Sequence, residues 1–193
     1  MARHRLIFIA VACVALVACV WHWLYSHSTL AEAAPLQALR EHLDPETADI
    51  GSDLVDGFWV LDFHGPNATD QVIRNALPYL TALPTHTPID ALDYDRSFRV
   101  RLTDTVITDE GVELLNELPL SQFVAINTPL SDASLDTLEG QSRLNWIYLS
   151  GTDVSAERRQ QYSKAHPRCA VIDAKDAKGS VAEFMFGGEV VEK

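Results

Sequence analysis

The chain has 193 residues, of which 47% are hydrophobic and 8% aromatic, and this composition excludes a disordered protein. The formal net charge of −12 argues against nucleic acid as a partner, because phosphate contacts need clustered Lys and Arg. The length allows one folded domain with extensions at its ends.

The first 25 residues have the pattern of a membrane-spanning signal anchor. Residues 1–5 are basic, and residues 6–25 contain an uncharged apolar run that ends among tryptophans and a tyrosine. The run from Leu6 to Leu24 would span roughly 29 Å as a helix, about the thickness of the hydrocarbon core of a bilayer. The basic flank predicts an N-terminus inside the cytoplasm. We therefore expect a single-pass protein of the cytoplasmic membrane with its folded domain outside, in the periplasm.

Two other interpretations of this segment stay open. Residues 16–19 resemble a bacterial lipobox, in which Cys19 would become the acylated first residue of a lipoprotein. Against this, the chain after Cys19 continues apolar, whereas a lipoprotein usually begins polar. The third interpretation is a secretory signal cleaved near residues 31–34, although the apolar run is longer than the usual ~7–15 residues. All three place the chain beyond these residues outside the cytoplasm.

Residues 26–57 are predicted to form a linker and an N-terminal capping helix. Pro35 suits the first position of a helix whose leucines recur on one face, and Asp44 precedes the proline that ends it. The acidic stretch 44–62 lacks the ligand spacing of a calcium-binding loop, so we interpret it as a solvated surface.

A tandem repeat of 23 to 24 residues occupies the stretch from Phe98 to Ile172. The pattern L-x-x-L-x-L-x-x-T-x-V/I/L-S/T recurs, with some departures, in residues 97–109, 120–132 and 144–156. An earlier copy begins at Phe58, and residues 79–97 are either a shortened copy or a plain loop. Self-similarity at this period falls within the ~20–29 residues of leucine-rich repeats.

Each copy predicts a short strand followed by a short helix. The apolar spacing points alternate strand side chains into a core, and the Thr hydroxyl can bond loop backbone where the strand ends. The next Ser or Thr suits a helix N-cap, as at Thr108 before a helix with Leu115 and Leu118 on one face. In the first copy, Thr69 would cap a helix that Pro78 disrupts or ends. Because no unit can bury its apolar side alone, the units must stack.

Cys169 is the only cysteine beyond the apolar N-terminal run, so we expect no disulfide within the exported part. It begins the apolar segment Cys169–Ile172, which predicts a closing strand with Cys169 as a small apolar filler. Residues 173–193, which follow it, are predicted to be a mobile acidic tail.

These motifs resemble the leucine-rich repeat domains of bacterial proteins, and in particular those of membrane-attached or exported proteins of planctomycete-type bacteria. The resemblance covers residues 58–172 and is carried by residues 102–112, 149–154 and the Pro-x-Cys-x-Ile-like end at 167–172. It implies an α/β fold, a short leucine-rich repeat solenoid with parallel strands on the concave face and short helices on the convex face, after an N-terminal transmembrane helix. The consensus Asn of the usual repeat is replaced here by Thr.

By this template, the strand residues between the core positions face outward on the concave side. They are Val60, Asp62, His64, Arg99, Arg101, Thr103, Gln122, Val124, Ile126, Trp146, Tyr148 and Ser150. Four of them, Val124, Ile126, Trp146 and Tyr148, would form an apolar and aromatic patch, and such anchors often carry interface energy. The competing interpretations are that the tail covers the patch or that these residues belong to the core.

The sequence therefore favours a membrane-anchored extracytoplasmic scaffold that binds a protein partner through this patch. One alternative is a structural spacer that assembles with copies of itself. A second is a hydrolase in which Asp62, His64 and Arg101 act on the concave face. The usual hydrolase and nucleotide-binding motifs are missing, and a surface ion pair beside an ordinary histidine is the simpler interpretation. We predict no catalytic residue, no metal ligand and no cofactor.

Overall fold

The computed structural model describes residues 35–53, 58–83, 85 and 96–173. Its first element is helix α1, which covers residues 35–42. The strands are β1 (Ala48–Asp53), β2 (Phe58–His64), β3 (Ser97–Thr103), β4 (Leu120–Ile126), β5 (Trp146–Ser150) and β6 (Ala170–Asp173). The remaining helices are α2 (Asp70–Leu80), α3 (Asp109–Leu115), α4 (Asp132–Leu138) and α5 (Ala156–Ala165).

The six strands form one sheet in which the spatial order of the strands equals their order along the chain. β1 pairs antiparallel with β2, whereas β2 to β6 are all parallel. One helix lies between each two consecutive parallel strands, and each of α2 to α4 contacts the helix that follows it. The chain is therefore an α/β fold with a mostly parallel sheet, in which each strand–helix unit packs on its neighbours.

One hydrophobic cluster fills the space between the sheet and the helices. In β2, Trp59, Leu61 and Phe63 are buried and alternate with half-exposed residues, as expected for a strand covered on one side. Leu115 and Leu135 from the helices join the same cluster. Because the helices cover this side, we call the opposite side of the sheet the open face.

The residues that the repeat template placed in the core are buried there. Leu102 and Leu149 are 0% and 1% exposed, and Leu118 after α3 is also buried in the cluster. Cys169 immediately precedes β6 and is buried in the cluster, as expected for a small apolar filler. The alternation predicted from the sequence thus has the correct register in these strands.

A residue with positive φ follows each of the strands β2 to β5. Gly65, Asp104, Asn127 and Gly151 have φ angles of 79°, 54°, 49° and 62°. Gly adopts this conformation without strain, and Asn and Asp tolerate it better than other side chains. A Cβ atom on Gly151 would lie 2.3 Å from the Asn127 side-chain oxygen, so the approach of neighbouring turns also requires glycine there. Each strand consequently turns towards its helix through a left-handed residue.

The carboxylate of the first residue of one helix holds the N-cap of the next helix. In each pair the carboxylate accepts one hydrogen bond from the backbone N–H of the N-cap residue and one from its hydroxyl. The pairs are Asp70 with Thr108, Asp109 with Ser131, and Asp132 with Ser155. We call this series the carboxylate ladder. It ends at α5, because the first residue of that helix is Ala156.

Asp109 makes the most contacts in the carboxylate ladder. It accepts hydrogen bonds from the Ser131 N–H at 2.9 Å and from the Ser131 hydroxyl at 2.5 Å, and the Ser134 hydroxyl also donates to it. Burial opposes its ionisation, but these hydrogen bonds outweigh the effect and hold the pKa of Asp109 below its ordinary value. The carboxylate also lies at the N-terminus of α4, where a helix favours negative charge.

Of the threonines at the strand ends, Thr128 makes the predicted bond to backbone, whereas the buried hydroxyl of Thr152 makes no hydrogen bond. The Thr128 hydroxyl donates to the Ile126 carbonyl at 3.1 Å and lies 3.3 Å from the hydroxyl of Thr105, one unit earlier. Both threonines are buried. They link the turns of neighbouring strand–helix units.

The predicted N-caps are mostly correct. The Thr108 hydroxyl accepts the Glu110 N–H at 3.3 Å, and the Ser131 hydroxyl accepts the Ala133 N–H at the same distance. Thr69 does precede α2, but its side chain makes no capping hydrogen bond, so the prediction that it caps the helix is wrong.

Three further boundaries differ from the sequence-based expectation. β1 lies within residues 26–57, where only a linker and a helix were predicted, because its pairing with β2 compensates for a polar sequence. Pro78 lies inside α2, which continues to Leu80, so it does not end the helix. Asp173, predicted as the first residue of the tail, is the last residue of β6.

Other predictions fall outside the described residues. These are the membrane segment at residues 6–25, Cys19, and the tail after Asp173. Residues 86–95 are also outside, so the shortened repeat in the stretch 79–97 stays a prediction. Among the helices that the structure describes, none has the length and apolar character needed to cross a membrane.

Candidate binding face

The strand register arranges the open face in three rows that run across the strands. One row contains Asp62, Arg101, Val124, Tyr148 and Ile172. A second contains Val60, Arg99, Gln122, Trp146 and Ala170, and a third contains His64, Thr103, Ile126 and Ser150. The charged residues of the face therefore lie on β2 and β3, and most of its apolar residues lie on β4, β5 and β6.

The structure brings the four predicted patch residues together on β4 and β5. Val124 lies directly opposite Tyr148, and Ile126 and Trp146 occupy the neighbouring rows. Val124 and Tyr148 are only 4% and 8% exposed, whereas Ile126 and Trp146 are half-buried. All four lie outside the hydrophobic core cluster, so the alternation along these strands was predicted correctly. The accessible part of the patch consists mainly of Ile126 and Trp146.

Ile172 of β6 extends the patch and was not predicted from the sequence. It lies opposite Tyr148 on the open face and is half-buried. The signal was present, because Cys169 and Val171 alternate with Ile172 along the closing strand. The sequence predicted a closing strand at residues 169–172, without an outward role for Ile172.

The polar half of the face is held by an ion pair. Arg101 Nη1 lies 3.1 Å from Asp62 Oδ2, and the side chain of each residue is 32% exposed. Burial raises the pKa of Asp62, with a further contribution from Asp49 on β1, while Arg101 and His64 act in the opposite direction. Arg99 lies over the ring of Phe58, with its guanidinium carbon 3.9 Å from the ring centroid.

Asp62 and Arg101 are thus in contact, as the hydrolase alternative required, with His64 in the next row. Their geometry is that of a salt bridge in which the carboxylate is already engaged by a guanidinium. That arrangement matches the simpler interpretation of an ordinary ion pair at a protein surface.

Cys169 is placed where its thiol has low reactivity. Burial raises the pKa of the Cys169 thiol to about 11, so the thiol is protonated near neutral pH. Within residues 35–53, 58–83, 85 and 96–173, no group of three or more His, Cys, Asp or Glu side chains is arranged to hold a metal ion.

Comparison with known proteins adds no family to this description. No protein-family model and no curated protein sequence matches the chain.

Proposed function

We propose that this protein is a membrane-anchored, extracytoplasmic leucine-rich repeat protein that binds a protein partner through the apolar half of its open face. The patch in this proposal consists of Val124, Ile126, Trp146, Tyr148 and Ile172, of which Ile126, Trp146 and Ile172 are accessible for direct contact. The observation that carries it is the apolar row Val124, Tyr148 and Ile172 with the accessible Ile126 and Trp146 beside it, on the side of the sheet away from the helices.

Leucine-rich repeats are supported by the recurrence of contacts as well as of sequence. A positive φ recurs after each of four strands, and a carboxylate bond recurs at the N-caps of α3, α4 and α5. Such contacts join only consecutive units, as in a solenoid. In such a solenoid the open face would be the concave surface.

The chemistry of the patch favours a protein as the ligand. Trp and Tyr supply large contact area at low entropic cost and are enriched among residues that dominate protein interfaces. Ile126 and Trp146 are accessible enough to contact a partner, whereas Val124 and Tyr148 are nearly buried in the row between them. The charged residues of β2 and β3 would then form a polar rim.

The test is a photo-crosslinking experiment in native membranes with the full chain. A photoreactive amino acid is placed at position 146 in one protein and at position 60 in another. Both positions lie in the same row of the open face, on its apolar and polar halves respectively. We expect one specific crosslinked protein from position 146 and not from position 60.

The complementary experiment uses purified variants with that crosslinked protein. Trp146→Ser together with Ile126→Ser should weaken binding by at least tenfold, because hot-spot residues at an interface cost more than 1.4 kcal/mol when truncated. Val60→Ser is the matched control and should bind as the unaltered protein does. Equal binding by the double variant and by Val60→Ser would mean that the apolar patch is not part of the interface.

Attachment to the membrane is tested separately. If residues 6–25 span the bilayer, the full-length protein should stay in the membrane fraction after a carbonate wash, and Cys19→Ser should change nothing. Release of the Cys19→Ser protein would favour the lipoprotein alternative. A soluble protein that begins near Ala34 would mean that a signal has been cleaved.

A further inference from the structure

The middle of the apolar patch has almost no exposed surface, although the helices pack on the other side of the sheet. Each described helix places apolar side chains in or against the hydrophobic cluster on that other side. Val124 and Tyr148 are nevertheless only 4% and 8% exposed. In the same row, the side chains of Asp62 and Arg101 are each 32% exposed. Burial that is confined to the apolar half favours a further segment of protein that lies over the patch.

The chain itself continues from the border of the patch. Asp173, the last residue of β6, directly follows Ile172, which lies opposite Tyr148 in the apolar row. Residues 174–193, which we call the tail, come next in the sequence. Because neighbouring strands lie about 4.8 Å apart, the patch extends only roughly 10 Å from β6 to β4.

The tail contains a segment whose chemistry matches the patch. Three large apolar residues, Phe184, Met185 and Phe186, follow one another in it. Aromatic rings pack favourably against the rings of Trp and Tyr, and a Met thioether makes favourable contacts with aromatic rings. Trp146 and Tyr148 supply such rings on β5. Contact between this Phe-Met-Phe segment and the patch would therefore remove two apolar surfaces from water.

The connection to the Phe-Met-Phe segment is long enough for this contact. Ten residues, 174–183, separate Asp173 from Phe184. An extended chain spans about 3.3–3.6 Å per residue, so the segment can reach every part of the patch without strain. A short connection also keeps the segment at an effective concentration on the order of 1 mM. A contact with a dissociation constant of about 0.1 mM would then be occupied roughly nine-tenths of the time.

Two other occupants are less favoured. The chain before α1 joins the structure beside β1, because Arg40 of that helix donates to the Ile50 carbonyl of β1. β1 and β6 are the opposite ends of the described strand order, so the patch lies farther from that segment than from the tail. A second copy would have to compete at its own concentration against a tethered segment held near 1 mM, an order-of-magnitude figure for a short connection.

We propose that the tail is an autoinhibitory segment, in which Phe184, Met185 and Phe186 cover the patch until a partner protein displaces them. The inference rests on the proposed function, because it concerns the regulation of the same patch. Cover by the tail and contact with the partner are two alternative states of one surface. The tail that the sequence predicts as mobile is docked in the first state and released in the second. At the occupancy above, cover weakens the apparent affinity for the partner by about tenfold.

The first test uses the purified full-length protein in detergent, without a partner. An aromatic photoreactive amino acid replaces Trp146 in one protein and Val60 in another, and mass spectrometry identifies the crosslinked peptides. We expect an intramolecular crosslink from position 146 to residues 184–186, and no crosslink to the tail from position 60. A reciprocal probe at position 185 leaves the folded domain unaltered and should crosslink to β4, β5 or β6.

The second test changes the tail. Phe184→Ser together with Phe186→Ser should abolish the intramolecular crosslink from position 146. The same double variant should bind the partner protein captured in native membranes about tenfold more tightly, because the patch is no longer covered. Val190→Ser together with Val191→Ser is the matched control. It removes two apolar side chains from the same tail and should leave both the crosslink and the affinity unchanged.

The purified protein tests the cover without a partner, so the two proposals can fail separately. Absence of the crosslink between position 146 and the tail would overturn the tail as the occupant and leave the proposed partner site standing. A crosslink to residues 26–34, to residues 86–95 or to a second copy would do the same.

Partner affinity that Phe184→Ser with Phe186→Ser does not improve would overturn the autoinhibition. If neither the unaltered protein nor this double variant captures a partner from position 146 in native membranes, the proposed function fails. A tail crosslink in that case would make the tail a permanent part of the fold.

Discussion

The two ends of each helix are connected to the sheet in different ways. The strand-to-helix turns repeat the same contacts, with a left-handed residue after each of β2 to β5 and a carboxylate on the N-caps of α3, α4 and α5. The helix-to-strand connections also share one backbone hydrogen bond, to the carbonyl of the last residue of α2, α3 or α4, but they include side-chain contacts between units that are particular to one connection. Between α4 and β5, for example, the Gln141 amide donates to the carbonyls of Asn116 and Leu118 and accepts the Leu120 N–H at 3.0 Å.

This difference explains why the repeat is visible in the sequence at some positions and not at others. A contact between consecutive units requires the same residue type at the same position in each unit, so it leaves a periodic signal. A single contact such as that of Gln141 leaves no such signal. If the repeated turns also contribute more to stability, variants in them should lose more free energy of unfolding than variants in the helix-to-strand connections.

Leu149→Ala should cause the largest loss of stability, because the strand-to-helix turns and the helix-to-strand connections share one hydrophobic core. Leu149 is 1% exposed in β5, and truncation of a buried Leu typically costs about 2–5 kcal/mol. Denaturant unfolding followed by circular dichroism measures the loss. A change below about 1 kcal/mol would mean that Leu149 is not a core residue in solution.

Asp109→Ala should reduce the free energy of unfolding by about 1–3 kcal/mol, because it leaves the Ser131 and Ser134 donors without their charged acceptor. Glu113→Ala, on the exposed side of the same helix, is the control and should change stability by less than about 0.5 kcal/mol. If the two variants unfold alike, the carboxylate ladder contributes nothing measurable.

Gln141→Ala should cost less, about 0.5–1.5 kcal/mol, because its bonds are between neutral groups and water can replace them at a partly exposed site. The same unfolding experiment measures it. A loss larger than that of Asp109→Ala would mean that the helix-to-strand connections contribute more to stability than the repeated turns do.

The smallest expected effect concerns the pH dependence of stability, which should differ between the carboxylates of Asp109 and Asp62. The pKa of Asp109 is lowered on folding, so its stabilisation is present above its unfolded pKa near 3.8 and is lost as the pH falls through the folded value. The pKa of Asp62 is raised, so its protonation adds stability as the pH falls through the folded value towards 3.8.

Unfolding curves of Asp109→Asn and Asp62→Asn between neutral pH and pH 3 measure this difference. The stability gap between the unaltered protein and Asp109→Asn should narrow on acidification. For Asp62→Asn the unaltered protein should gain stability relative to the variant. Parallel curves for both variants would contradict the assigned hydrogen-bond and burial effects.

The sequence predicted the parallel strands and the helices of residues 97–173 well, because apolar spacing and N-caps are local signals. It missed β1, whose residues are mostly Asp, Ser, Gly and Ala, since a strand of that composition forms only when β2 pairs with it. The sequence also predicted that Pro78 would disrupt or end α2. The helix continues past it, because one missing N–H at an exposed position is tolerated in a helix that packs on the core.

The candidate face was predicted in part. Alternation placed Val124 and Tyr148 on the side away from the core, but it could not show that both are almost fully buried. Exposure is set by the atoms that pack around a side chain in the folded chain, which alternation along one strand does not specify. The carboxylate ladder was missed for a similar reason, since an Asp after an N-cap has an obvious local role and its bond to the next unit requires the stacked structure.

The carboxylate ladder makes the protein extendable. Asp109 bonds the N-cap of α4, and Asp132 bonds the N-cap of α5, so every internal unit offers an acceptor on one side and donors on the other. A duplicated copy of residues 132–155 inserted in register would bring its own Asp and its own Ser to these partners. Lengthening the array by whole units should therefore be tolerated, whereas an insertion that shifts the period would break the pairing.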